Sequence, residues 1–167
     1  MSAVAAIADR GVFLERVALT LAPTLDACSA MLREAPLGEV REKVRADGGR
    51  ELVSDLDAAV ERRLVEALRE AFPEVPVLAE ETENDAARLA NDWCFVIDPI
   101  DGTKEFVEGR DGFSISVALA EQRRPVLGML DFPARRQRFC AVRGEGATLN
   151  GEPLRLPALS RTPGRCV

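Results

Sequence analysis

The stretch "WCFVIDPIDGTKEF", Trp93 to Phe106, decides how this chain is read. Its first five residues, Trp93 to Ile97, carry no charge, follow Asn91-Asp92 and run into Asp98-Pro99, which predicts a buried strand that ends at its carboxylates. Two acids, Asp98 and Asp101, then stand on either side of Pro99-Ile100, where a turn is expected. Gly102 and Thr103 follow at once. Carboxylates gathered where a strand leaves the core are placed for chemistry, and the rest of the sequence says which chemistry is open to them.

Histidine and tyrosine are absent from all 167 residues. A Ser-His-Asp relay, a Cys-His pair and a zinc site with imidazole ligands are therefore excluded. Acid and base work falls to carboxylates, lysine, hydroxyls or bound water. The four cysteines, Cys28, Cys94, Cys140 and Cys166, form no C-x-x-C pair and read as reduced thiols serving as small hydrophobes. With 47% hydrophobic and 30% charged residues the composition is that of an ordinary folded domain. A net charge of -6 argues against a sequence-independent grip on a nucleic-acid polymer, which needs a concentrated basic surface. No apolar run approaches the roughly 18 residues of a membrane span, and MSAVAAIADRG lacks the basic start of a secretory signal, so the expectation is a cytoplasmic protein without a membrane partner.

Upstream, Ile7, Leu14, Val17, Leu21, Leu25, Cys28 and Leu32 recur at helical spacing, with Gly11 marking the start and Pro23 expected to kink the middle. RADGGREL, Arg45 to Leu52, reads as a loop. Ser54 with Asp57 three residues on resembles a capping box, and Leu56, Val60, Leu64, Leu68 and Phe72 predict a second amphipathic helix stopped by Pro73. VPVLAEE, Val75 to Glu81, is a short apolar run ending in paired acids, and residues 84–91 allow one or two helical turns. Beyond Gly112, Phe113, Ile115, Val117 and Leu119 alternate with Ser114 and Ser116. PVLGMLDF, RQRFCAV and ATLN, the last followed by the Asn150-Gly151 turn, complete a meander. The expected fold class is α+β: two N-terminal helices packed on a largely antiparallel β-sheet.

Position then suggests chemistry. VPVLAE and WCFVID end in Glu80 and Asp98; if those strands lie side by side in the same sense, Glu80, Asp98 and Asp101 converge at one edge. Clustered carboxylates repel unless a cation joins them, and hard oxygen ligands suit Mg²⁺ or Mn²⁺. The backbone amides of Gly102 and Thr103 can approach a phosphate. Each piece has a plainer alternative. Asp98-Pro99 and Asp101-Gly102 are turn pairs, Glu80-Glu81 suits a solvated loop, Asp57 suits a helix cap, and Lys104 and Glu105 suit the surface. RGEGATLNG lacks the G-x-G-x-x-G spacing and reads as hairpin turns. Phosphatases that form an aspartyl-phosphate end a strand in D-x-D-G-T, with one residue between the acids; here two intervene, which disfavours that covalent route.

The hexapeptide Asp98-Pro99-Ile100-Asp101-Gly102-Thr103 resembles the signature of the inositol monophosphatase superfamily of magnesium-dependent phosphomonoesterases. Lys104-Glu105-Phe106 resembles its 3'(2'),5'-bisphosphate nucleotidase branch, known as CysQ in bacteria. LVSDLD at Leu52 to Asp57, LAEET at Leu78 to Thr82 and the segment GATLNGEPL are similar to further family segments, so the likeness runs from about Arg45 to Leu154. The resemblance implies the N-terminal half of a layered αβαβα fold and Mg²⁺ as cofactor. It implies that Glu80, Asp98 and the carbonyl of Ile100 hold one ion, and that Asp98 and Asp101 share a second. It further implies that Asp57 and Thr103 activate water, and that the amides of Gly102 and Thr103 hold the phosphate. The expected substrate is adenosine 3',5'-bisphosphate, with inositol 1-phosphate or histidinol phosphate as runner-up. The partner is then a small phosphorylated metabolite, and the resemblance allows a homodimer.

Departures accompany the likeness. Ser54 stands where the family has threonine, and Pro23 interrupts the first helix. The family's second domain supplies a third acid through a W-D-x-A type motif, whereas the one tryptophan here is Trp93. The expected organisation is a metal- and phosphate-binding domain over residues 1–155 and a truncated tail over 156–167, with the C-terminal domain absent. The rival expectation is a catalytically incomplete domain that binds metal or a partner.

Overall fold

The computed structural model describes residues 9–34, 40–44, 50–80 and 91–155, and for 40–44 and 50–54 the backbone alone. Helix α1 (Arg10–Glu34) starts one residue before Gly11, because Asp9 caps it. The Asp9 carboxylate accepts from the amides of Gly11 at 2.9 Å and Val12 at 3.2 Å, two of the donors a helix start leaves without partners. Pro23 lies inside α1 without dividing it into two helices. Leu14, Val17, Leu21, Leu25, Cys28 and Leu32 form the buried stripe that their spacing predicts, with Phe13 added. Ile7 lies outside the described residues.

Strands β1 (Val40–Val44) and β2 (Arg50–Ser54) pair antiparallel as a separate ribbon, so Arg50 to Leu52 are extended and not part of the loop expected there. β2 leads directly into α2 (Asp55–Ala71), whose Val60, Leu64 and Leu68 are buried together with Phe72 just beyond its end. The side chain of Ser54 is outside the described set, and so is the capping box expected of it.

The main sheet has seven strands in chain order: β3 (Val77–Ala79), β4 (Trp93–Asp101), β5 (Ser114–Glu121), β6 (Arg124–Phe132), β7 (Gln137–Val142), β8 (Gly146–Leu149) and β9 (Glu152–Pro153). Only β3 and β4 are parallel; every later pairing is antiparallel, which is the expected meander. Phe113, Ile115, Val117 and Leu119 are buried as their alternation predicts. They join Phe95, Ile97, Leu127 and Met129 in one apolar cluster with the stripes of α1 and α2. Aromatic rings knit the cluster at one end: Phe13 meets Phe72 at 5.6 Å and Trp93 at 5.2 Å between centroids, both edge to face. The helical turns expected within 84–91 fall on residues outside the described set, apart from Asn91.

β4 departs from expectation in a way that matters. It does not end at Ile97 but runs on to Asp101, so Pro99 is strand and not turn. Asp98 pairs with Ser116 and Asp101 with Ser114, three residue steps on β4 against two on β5. One extra residue is therefore inserted in β4, a β-bulge. A bulge is where a sheet tolerates proline, which has no amide to give the ladder.

Candidate metal centre

The bulge answers the spacing puzzle of the opening stretch. In a regular strand, residues three apart face opposite sides of the sheet. Ser114 and Ser116 are two apart on β5 and share a side, and cross-strand partners share a side too, so the extra residue brings Asp98 and Asp101 onto the same face. The intervening Pro99 and Ile100 are buried.

Parallel pairing supplies the next acid. Val77 pairs with Phe95, Leu78 with Val96 and Ala79 with Ile97, so Glu80, one step beyond β3, comes level with Asp98. The Glu80 carboxyl stands close enough to Asp98 to act on its pKa. Two carboxylates brought this close repel unless a proton or a cation joins them. Burial pushes the Asp98 carboxyl above its ordinary range, and the charges of Asp101 and Asp57 push the same way; the hydrogen bonds from Glu80 and from the Ile100 amide oppose them.

Asp57 sits in the first turn of α2, where a negative charge is favoured by the helix dipole, and is 3% exposed. Asp101 is exposed at the end of β4. The structure thus brings Glu80 against Asp98 and sets Asp57 and Asp101 within electrostatic reach. Among the described residues no group of three or more acidic or thiol side chains is closed around a single point suited to a metal ion.

The turn after the acids is tightly specified. Gly102 adopts φ 86°, ψ 42°, a left-handed conformation that suits glycine, and forms the N-terminal boundary of α3 (Thr103–Val107) without a side-chain cap. The Thr103 hydroxyl donates to the Ile100 carbonyl at 3.0 Å. Phe106 is buried against Phe113, their rings 4.9 Å apart, and Glu105 is held by Arg110. Of the Lys104-Glu105-Phe106 triplet only Lys104 is both exposed and without such a structural role. Ser114 and Ser116, opposite the aspartates, were legible as strand residues but not as neighbours of the acids.

A divalent cation fits these residues on one observation above all: Asp98 Oδ1 is buried and has no hydrogen-bond partner in the protein. A buried carboxylate oxygen without a donor is costly, and a hard cation is the ligand suited to it. All the side-chain donors assembled are carboxylate oxygens, which suits Mg²⁺ or Mn²⁺ over softer metals.

Comparison with known proteins gives a consistent picture. The model of the inositol monophosphatase family matches residues 15–167. The chain is 35% identical over 117 residues to the Nus factor SuhB of Haemophilus influenzae, covering 70% of this chain and 43% of that protein. It is 35% identical over 119 residues to the fructose-1,6-bisphosphatase/inositol-1-monophosphatase of Thermotoga maritima, covering 71% of this chain and 45% of that one. The solved Thermotoga maritima IMPase TM1415 superposes with a TM-score of 0.73 at 30% identity, over 86% of this chain and 54% of that structure. The chain spans about half the length of these proteins.

Proposed function

The chain belongs to the inositol monophosphatase family, and from that premise we propose that its acidic corner is the site of a Mg²⁺-dependent phosphomonoesterase. The observation that carries the reading is the Glu80–Asp98 pair with its orphaned, buried Oδ1. Glu80, Asp98 and the Ile100 carbonyl would hold one ion, and Asp98 with Asp101 a second. When bound, such ions neutralise phosphate, lower the pKa of a water and stabilise the leaving oxygen.

The chain's own residues do the rest. The Thr103 hydroxyl spends its proton on Ile100, so its lone pairs are left to accept from the attacking water and orient it. Asp57, buried at the start of α2, is the second acceptor for that water's proton. The amides of Gly102 and Thr103 receive the phosphate oxygens.

The substrate is a small phosphorylated metabolite. An inositol phosphate is favoured by the names of relatives such as the Thermotoga enzyme. The triplet at Lys104 supports adenosine 3',5'-bisphosphate, but Glu105 is held by Arg110 in a surface ion pair and Phe106 is buried against Phe113, which weakens its value as a substrate signal; histidinol phosphate is a further candidate. A second reading is a catalytically incomplete domain that binds metal or a partner; the Haemophilus relative is named a Nus factor and not a phosphatase. Phosphate release from inositol 1-phosphate and adenosine 3',5'-bisphosphate, each with Mg²⁺ and with chelator, separates them. Mg²⁺-dependent release from either is expected; release that survives chelation, or none from any phosphomonoester, would contradict the enzymatic reading.

A further inference from the structure

Glu105 is a part-exposed side chain held by Arg110 across the loop that follows the acids. It points back across its own loop, so that its Cγ stands 3.7 Å from where a Cβ on Gly102 would be and 3.5 Å from where one on Gly112 would be, with Oε2 3.4 Å from the latter. The side chain thus lies beside two glycines, one at each end of the loop that joins β4 to β5, and a Cβ on either would be in ordinary contact with it. Arg110 fixes it there in fork geometry, Nε donating to Oε2 at 2.5 Å and Nη2 to Oε1 at 2.7 Å, while the Arg110 amide donates to the Glu105 carbonyl at 2.8 Å.

The loop is anchored at both ends. Phe106 packs on Phe113, and Arg135 donates two hydrogen bonds, both 3.2 Å, to Asp111. An exposed ion pair alone contributes little to stability. A bidentate one that holds a side chain beside both the turn glycine and the start of the next strand has another use. The turn glycine directly follows Asp101.

Building on the metal-site reading above, we propose that Glu105 is a positioning residue: lying beside Gly102 and Gly112 and held by Arg110, it fixes the segment Asp98–Thr103 in the geometry that receives a divalent cation. Residues that orient metal ligands from outside typically change metal affinity by about 10- to 100-fold when removed.

The test uses the whole chain with Mn²⁺ as probe, read by calorimetry, and amide hydrogen exchange read by NMR. Glu105→Ala, which removes the side chain that Arg110 holds, is expected to weaken Mn²⁺ binding about tenfold and to speed exchange at Gly102 to Phe106. Glu105→Gln, which keeps the shape and one acceptor oxygen, is expected to stay within about threefold of the unmodified chain. Arg110→Ala should fall between them. Protection of the β5–β6 amides reports that each variant is folded. Equal affinity in Glu105→Ala and the unmodified chain, or equal losses in the Ala and Gln variants, overturns the proposal. If the unmodified chain takes up no Mn²⁺, the metal reading falls; the brace is then judged by exchange, and unchanged exchange in Glu105→Ala overturns it as well.

Discussion

Single residues in this chain are tuned by three different causes. Asp98 is held high by burial and by like charges, whereas Glu105 and Asp111 are held below their ordinary range by the hydrogen bonds of Arg110 and Arg135. Cys28 is raised to about 11 by burial, an effect that Arg63 partly offsets and Asp131 reinforces. The sign of the linkage follows. The folded thiol stays neutral to about 11 against an ordinary value of 9.0, so its contribution to stability is complete below that ordinary value and is lost as pH rises through the folded one. At pH 8, Cys28 in the folded chain should therefore resist alkylation by iodoacetamide that modifies it readily in urea, as peptide mapping would show; rapid labelling of the folded chain would contradict its burial. The acids of the site were legible at this scale because the absence of histidine leaves oxygen chemistry as the option. The Glu105–Arg110 brace was not, since a contact across a loop at a separation of five residues leaves no periodic trace.

Among elements, those with strong periodicity read correctly: α1, α2 and the alternating β5 bury the stripes that their spacing predicts, save that Leu56 is partly buried and Ile7 lies outside the described residues. The Asn150-Gly151 turn also announces itself, as both residues have the positive φ that this pair readily adopts. The equivalent turn between β5 and β6 uses Gln122 and Arg123 at φ 48° and 64°, residues that carry no such signal. The bulge in β4 was hidden for a related reason. Pro99 reads locally as a strand breaker, and only pairing with β5 shows that the ladder resumes beyond it. β2 is not legible in the sequence because its apolar residues, Leu52 and Val53, are adjacent and show no alternation, and two glycines precede it. At the start of α3 the left-handed turn makes its own prediction. A Cβ on Gly102 would meet Phe113 Cα at 3.5 Å, ordinary contact, so Gly102→Ala should cost only the conformational term, about 1–2 kcal/mol in urea unfolding. A loss well above that would mean that the turn is packed more tightly than this.

For the molecule as a whole, one polar network locks the first helix to the sheet. Asp131, 4% exposed, accepts from Ser29 of α1 at 2.8 Å and from Arg138 of β7 at 2.6 Å, and Arg138 reaches on to Asp26 at 2.8 Å and to the Ala22 carbonyl at 3.1 Å. Removing Arg138 from this part-buried pair leaves the buried Asp131 carboxylate with Ser29 as a donor, so Arg138→Ala should destabilise by about 1–3 kcal/mol, measured by urea unfolding. A cost under about 1 kcal/mol would show that the pair behaves as a surface one. The same scaffold sets β3 beside β4 and α2 above them, and so decides whether acids far apart in sequence, Asp57, Glu80, Asp98 and Asp101, can share a cation. Calorimetric titration of Mn²⁺ into the metal-stripped chain, alongside Asp98→Asn, tests that most directly. Uptake by the unmodified chain that disappears in a folded Asp98→Asn variant is the predicted result; no uptake, or uptake unchanged by the substitution, would contradict the account.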